Sequence, residues 1–340
     1  KMELELRQSY LKNRTIKTIY FGGGTPSILN KIEIKSILEK TYKTFKIDKN
    51  AEITLECNPD DLTKKKLMSL KEVGINRLSI GVQSFKEEDL KFMNRSHNAT
   101  QSESCIKMAQ QIGFNNITID LIYGLPYQSL KDWKKNLNKM FSLNIPHFSS
   151  YALTIEEKTV LKYLVEQKKI TPLNEEKVNK QFNILMEMVK ENGFVHYEIS
   201  NFGKEGFYSK HNAAYWQNKH YLGVGPSAHS FNGKSRSWDV SSNKQYILKI
   251  NKGEDYFESE ILNSSQQYNE YIFTALRTIW GVNSEIIKER FGEKMQTHFL
   301  KEVKKWATKK DIKKTENTYT LTTSGKFLAD AIASDLFIVD

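Results

Sequence analysis

Two hydrophobic periodicities take turns along this chain. Short runs rich in β-branched and aromatic residues predict strands at Ile16–Phe21, Glu52–Leu55, Arg77–Val82, Asn116–Ile122, His147–Leu153 and Val195–Ile199. Between them, apolar positions recur at helical spacing. This predicts amphipathic helices over Lys31–Phe45, Thr63–Val73, Thr100–Ile112, Ser129–Ser142 and Glu175–Glu191. Gly74, Gly113 and Gly193 fall just past helices, where a left-handed cap is wanted. Alternating strands and helices imply parallel β with right-handed crossovers. So many units in a row predict a full or partial (β/α) barrel rather than an open sheet.

After Ile199 the pattern changes. Residues 200–245 are rich in Gly, Asn, Ser, His and aromatics, with little periodicity. So long a loop in a compact protein is functional or disordered, and its aromatics and glycines argue against disorder. Farther on, helices are predicted over Tyr268–Ile279, Ser284–Phe291 and Met295–Thr308. A β-pair at Ile312–Lys314 and Thr318–Leu321 and a last helix from Thr323 complete a winged-helix-like order. The expected organisation is a barrel core over 1–200, a connecting loop region over 201–260, and a helical, winged-helix-like domain over 261–340. The chain opens at Lys1 inside an amphipathic stretch (Met2, Leu4, Leu6, Tyr10, Leu11), so we expect a longer protein upstream.

A barrel binds its ligand at the C-terminal ends of its strands. Reading only those ends gives Gly22 to Thr25, then Glu56, Gln83, Asp120 and Tyr151. Polar or glycine residues recur wherever an apolar strand stops. Gly22-Gly23-Gly24 removes side chains so that backbone groups can reach a ligand, and Pro26 sets the turn into the next helix. No Gly-Lys-Ser/Thr follows the glycines, which excludes a Walker loop, and GxGxxG spacing is absent.

Composition narrows the classes further. Lys and Arg number 51 against 40 Asp and Glu, a net charge of +11. That favours anionic partners and is compatible with weak membrane association. Residues 284–310 lack an Arg-rich recognition helix, so no nucleic acid partner is expected. No apolar run is long enough to span a bilayer. Cys57 and Cys105 offer neither a disulfide framework nor metal-binding spacing, and both read as core residues in a cytoplasmic protein.

Several ordered blocks carry a resemblance. They are Tyr20-Phe21-Gly22-Gly23-Gly24-Thr25-Pro26-Ser27, Glu56-Cys57-Asn58-Pro59, Arg77 through Phe85 (RLSIGVQSF), Asn94-Arg95, Asp120 through Pro126 (DLIYGLP) and His211 through Trp216 (HNAAYW). Together they resemble the radical S-adenosylmethionine superfamily, in the branch that holds oxygen-independent coproporphyrinogen III oxidases and HemW-type haem chaperones. The resemblance implies an α/β fold, a partial (β/α)6 TIM-like barrel of the radical SAM type with a C-terminal α+β, winged-helix-like domain. It also implies S-adenosylmethionine, a [4Fe–4S] cluster and haem as cofactors.

Carried over residue by residue, the resemblance gives the methionyl end of the cofactor to Gly23, Gly24 and Thr25. Glu56 would face its polar groups, Gln83 would hydrogen-bond it, and Arg95 would pair with its carboxylate. Asp120 would take the ribose hydroxyls, and the backbone near Tyr151 and Ala152 would line the adenine. The cluster needs three cysteines in a CxxxCxxC loop after the first strand, which this chain lacks. The family places that loop upstream of residue 1, so no catalytic cluster ligand is expected here. His211 is the candidate haem-iron ligand, with Tyr215 and Trp216 as an aromatic wall. His229 is a second candidate.

Three functions follow. The first is a haem chaperone that binds haem and delivers it to apo-haemoproteins of respiration. The second is an oxidase that decarboxylates coproporphyrinogen III in porphyrin biosynthesis. The third is a non-catalytic binding module with a degraded cofactor site. The HNAAYW segment favours the first over the second, and the complete cofactor rim argues against the third.

Overall fold

The computed structural model describes residues 1–171 and 174–339. These form two compact units, one of residues 18–36 and 50–209, the other of residues 1–17, 37–49 and 210–340. In chain order the first elements are α1 (Met2–Leu6), β1 (Ile16–Phe21), α2 (Lys31–Thr44), β2 (Ile47–Cys57), α3 (Lys64–Glu72) and β3 (Arg77–Gln83). Next come α4 (Glu87–Phe92), α5 (Ala99–Ile112), β4 (Asn116–Tyr123), α6 (Leu130–Ser142) and β5 (His147–Ala152). Then follow α7 (Val160–Glu166), α8 (Glu175–Glu191), β6 (Val195–Glu198) and β7 (Asn201–Gly203).

Among the described residues, these seven strands form one sheet in the order β1-β2-β3-β4-β5-β7-β6. The neighbours from β2 to β5 are parallel. The sheet then ends in antiparallel pairings of β5 with β7 and of β7 with β6. The run at Val195–Ile199, counted above among the alternating units, thus extends the sheet through antiparallel pairing rather than adding another parallel unit.

Strand alternation gives the sheet two unlike faces. Leu78, Ile80 and Val82 of β3, Ile117, Ile119 and Leu121 of β4, and Ile53 and Leu55 of β2 are buried and apolar. The opposite face carries Glu52, Thr54 and Glu56, then Arg77, Ser79 and Gly81, then Thr118 and Asp120, then His147 and Ser149. Register aligns Glu56 with Ser79 and Asp120 with Ser149. The polar face is therefore continuous across four strands.

Buried hydrogen bonds fix the loops at the strands' C-terminal ends. Ser84 Oγ and Gln128 Nε2 both donate to Asp89 Oδ2, at 2.7 and 3.0 Å. Asn136 Nδ2 donates to Ser84 Oγ, and Gln181 Nε2 donates to Gln128 Oε1 at 2.9 Å. Gln181 Oε1 in turn accepts from the Gly124 amide at 2.8 Å. This satisfied network ties the loop after β3 and the loop after β4 to α6 and α8.

Residues 201–260, of which 210–260 belong to the other unit, are more ordered than the loop region expected for them. They contain α9 (Lys210–Trp216), β8 (His229–Phe231), β9 (Ser235–Asp239), α10 (Asn243–Lys252) and β10 (Phe257–Ile261), besides β7. The elements are three to ten residues long. Most are too short for a periodicity to show. β10, β9 and β8 form an antiparallel sheet. Arg7 joins the N-terminal segment to it, donating from Nη2 to Ser237 Oγ at 2.9 Å and lying 4.4 Å over the Phe257 ring.

The chain ends with α11 (Ser264–Leu276), β11 (Val282–Asn283), α12 (Ser284–Phe291), α13 (Glu293–Thr308), β12 (Ile312–Thr315), β13 (Thr318–Leu321), α14 (Thr323–Phe327) and α15 (Ala329–Leu336). Strand order β11-β13-β12 after helix–strand–helix–helix is the winged-helix arrangement. Among the described residues, no helix is long and apolar enough to cross a membrane.

Candidate functional site

The glycine turn after β1 is shaped by two different demands. A Cβ at Gly22 would lie 2.5 Å from Tyr20 Cε1 and 3.0 Å from Glu56 Oε1, so only glycine lets these groups meet. Gly23 and Gly24 have φ of +73° and +64° with open space around them, and there the backbone conformation selects glycine. Glu56, near the end of β2, accepts from the Tyr20 hydroxyl at 2.6 Å and from the Gly23 amide at 3.1 Å. Burial and the adjacent carboxylate push the Tyr20 hydroxyl pKa up, which keeps it a donor.

Gln83 closes β3 at a strained position. Its φ is +67°, and the Ser84 amide donates across it to the Val82 carbonyl at 2.8 Å. This is a γ-turn of the rare positive-φ kind. The β3–β4 register shifts between Ile80 and Gln83. Such strain persists only where surrounding structure enforces it, and it costs about 1–3 kcal/mol. Its effect is to end the strand and hold the Gln83 amide at the rim.

Arg95 is delivered by a helix cap. After α4, Asn94 takes a left-handed φ of +51°. The Asn94 amide bonds the Lys91 carbonyl, and the Arg95 amide bonds the Leu90 carbonyl. This is a Schellman closure, with asparagine tolerating the left-handed position. Arg95 Nη2 then donates to Asn58 Oδ1 at 2.9 Å. Gly81 leaves room for both side chains, since a Cβ there would lie 3.1 Å from Gln83 Nε2 and 3.5 Å from Arg95 Nη2.

These groups surround a pocket of about 200 Å³, lined among others by Gly24, Thr25, Glu56, Gln83, Arg95 and Asp120. The structure thus brings together residues drawn from four strand ends and one helix cap. Gly23 joins them through its bond to Glu56. Tyr151 stands beside the pocket, hydrogen-bonded to Asp120, and Ala152 follows it at the end of β5 in register with Tyr123. Asp120 is raised to about 6, first by burial, with the Glu56 carboxylate adding to the rise and hydrogen bonds from Ser149 and Tyr151 opposing it.

Two buried polar atoms in the pocket, Gln83 Oε1 and Arg95 Nε, have no hydrogen-bond partner among the described residues. An acceptor and a charged donor left unpaired beside two carboxylates suit a zwitterionic, hydroxyl-bearing ligand. S-adenosylmethionine is such a ligand, so the residues fit it.

The two cysteines do not fit a cluster. Both are buried, and burial pushes their thiols up, to about 12 for Cys105. Among the described residues, no group of three or more His, Cys, Asp or Glu could hold a metal ion. The described residues therefore hold no ligand set for a [4Fe–4S] cluster.

The HNAAYW segment lies on helix α9. One helical turn places His211 and Tyr215 on the same face. Their rings meet edge to face with centroids 4.8 Å apart. Trp216 is about 140° round the helix from His211, so helix geometry separates it from that pair. Tyr215 is 40% exposed. His229 sits exposed on β8, with its ring 6.4 Å from that of Trp238.

Several residues around the pocket were not singled out by the strand ends alone. Ser79 and Gly81 lie four and two positions before Gln83, on the same strand face, so the period of two could have identified them. Tyr20 stands two before Gly22 by the same rule. Ser149 stands two before Tyr151 by that rule as well, and Asn58 lies in the Glu56-Cys57-Asn58-Pro59 block, but their contacts to Asp120 and Arg95 arise only from the fold.

Comparison with known proteins agrees with this architecture. Residues 3–140 match the model of the radical SAM superfamily. The haem chaperone HemW of Bacillus subtilis is 36% identical, with the alignment covering 93% of this chain and 84% of that protein. HemW of Lactococcus lactis is 34% identical, over 84% of this chain and 74% of its own length. The solved coproporphyrinogen III oxidase HemN from Escherichia coli, a radical SAM enzyme, superposes with a TM-score of 0.83 at 22% identity, over 99% of this chain and 81% of that one. At that identity the likeness is one of fold.

Proposed function

This chain belongs to the HemW branch of the radical SAM superfamily, and we propose that it is a haem chaperone, binding haem and delivering it to haemoproteins. The observation that carries this reading is the identity of 34–36% to HemW proteins over most of both chains. The helical pairing of His211 with Tyr215 supports it locally, since an imidazole beside an aromatic edge suits axial ligation and packing on a macrocycle. Trp216 would complete the haem surface from its own side of α9. Apo-haemoproteins of respiration would be the acceptors, and a cytoplasmic location is in keeping with HemW-type bacterial relatives.

The strand-end pocket would hold S-adenosylmethionine. The bound cofactor supplies a sulfonium cation between an aminoacyl zwitterion and a ribose diol. In this reading Gly23, Gly24 and Thr25 hold the aminoacyl end, and Arg95 pairs with its carboxylate through the guanidinium fork. Gln83 offers its unpaired oxygen to a cofactor donor. Glu56 balances the cationic groups, Asp120 accepts from the ribose hydroxyls, and the backbone at Tyr151 and Ala152 flanks the adenine.

The test is anaerobic titration of the protein with haem, with and without coproporphyrinogen III. Stoichiometric haem binding without turnover supports the chaperone. Conversion of coproporphyrinogen III would replace that reading with the oxidase. His211→Ala should shift the Soret band of the haem complex, and an unchanged spectrum would remove His211 from the iron.

A further inference from the structure

The contact between His211 and Tyr215 is only one link of a longer aromatic chain. Tyr215 meets His211 edge to face on one side, and on the other it meets Tyr221, also edge to face, with centroids 4.5 Å apart. Tyr221 is itself held firmly. Its amide donates to the Phe231 carbonyl at 2.9 Å, and the Phe231 amide returns a bond at 3.0 Å. These two bonds form an isolated antiparallel bridge. The Tyr221 ring leans on that of Phe231 at 6.2 Å, and Phe231 is buried on β8.

This arrangement solves a specific problem. Helix α9 has seven residues, and the Tyr215 ring it carries is 40% exposed. A ring on so short a helix, left to solvent, would sample several rotamers. Two edge-to-face ring contacts, at interplanar angles of 89° and 68°, hold the ring from both sides. The Tyr215 ring in turn meets the His211 imidazole edge to face.

We propose that Tyr221 is a positioning residue of the haem-binding face: braced on Phe231, it fixes Tyr215, which in turn orients the His211 imidazole. This rests on the reading of His211 as the haem ligand. The ring of Tyr221, rather than its hydroxyl, carries the effect, because the contact is ring to ring. The role was not legible in the HNAAYW motif, as Tyr221 lies outside it and reaches α9 through the bridge to β8.

The experiment titrates ferric haem into the wild-type protein, Tyr221→Ala, Tyr221→Leu, Tyr221→Phe and His211→Ala. Affinity, Soret position and the resonance Raman ligation markers are read, and far-UV circular dichroism checks folding. Tyr221→Ala should bind haem about 3–10-fold more weakly, with altered ligation markers. Tyr221→Leu keeps most of the bulk and should show the same change if Tyr221→Ala does not fold. Tyr221→Phe should match the wild type. Wild-type spectra and affinity in Tyr221→Leu, while His211→Ala is altered, would overturn the role of Tyr221 and leave the haem site standing. A Tyr221→Phe variant as impaired as Tyr221→Leu would overturn the ring-bracing account. If His211→Ala equals the wild type as well, the haem-ligand reading fails and this role fails with it.

Discussion

The strand-end pocket and the α9 face are built in opposite ways. The pocket collects side chains from Thr25 to Asp120, held in one place by sheet register, a strained γ-turn and a left-handed helix cap. The α9 pair is local, His211 and Tyr215 being one helical turn apart, and only its brace comes from farther along the chain. A site built on register tolerates the loss of one side chain without losing its shape. A site built on a seven-residue helix depends on that helix.

The hardest way to break the comparison is Ala214→Pro, in the middle of α9. Proline there removes a helical hydrogen bond and costs about 3 kcal/mol or more, enough to unwind so short a helix. Haem titration should show binding lost, while calorimetric titration with S-adenosylmethionine should be unchanged. Retained haem binding would mean that the face does not depend on helical pairing.

Next in size is Arg95→Ala. Losing a charge-assisted pair should weaken S-adenosylmethionine binding by about 10–100-fold, with little change in melting temperature. Arg95→Lys should not restore it, because lysine lacks the planar fork. Full rescue by lysine would reduce the role of Arg95 to simple charge.

Asp120→Asn sharpens the comparison through pH. Asp120 is raised to about 6 from an ordinary value near 3.8. For a carboxyl raised by folding, the stabilising contribution is fully present below the unfolded value and is lost as pH rises through about 6. The asparagine variant should therefore melt above the wild type at pH 8 and match it at pH 4. Its affinity for S-adenosylmethionine should nevertheless be lower at pH 8, where the wild-type carboxylate is ionised. Identical melting curves at both pH values would remove the buried charge from the account.

The smallest effect is expected for Gln83→Gly. Glycine relieves the φ of +67°, but it loses more entropy on folding, so stability should stay within about 1 kcal/mol of the wild type. Cofactor affinity should fall because the rim amide is gone. A large destabilisation would show that Gln83 holds the loop rather than a ligand.

Much of this was legible beforehand. Alternation in RLSIGVQ and NITIDLIY sets an apolar face against a polar one, so the barrel-type sheet and the rim at Glu56, Gln83 and Asp120 could be read from spacing. The order of elements after Ser264 gave the winged-helix module. Residues 201–260 were harder, because several three- to seven-residue elements there leave no period to detect.

By itself, the sequence determined which residues could serve. Glycines stood at positions 23 and 24, where φ is positive, polar side chains ended apolar strands, and a histidine and a tyrosine stood four positions apart. Tertiary structure alone decided which of them meet. The turn at Gln83, the cap at Asn94 that delivers Arg95 to Asn58, and the rise of Asp120 beside Glu56 each join residues far apart in the chain or impose a backbone that local preference disfavours, and the contact of Tyr221 with Tyr215 depends on the bridge from Tyr221 to Phe231. Local propensity acts over a few residues, whereas register, burial and ring contact are set only when the whole chain has packed.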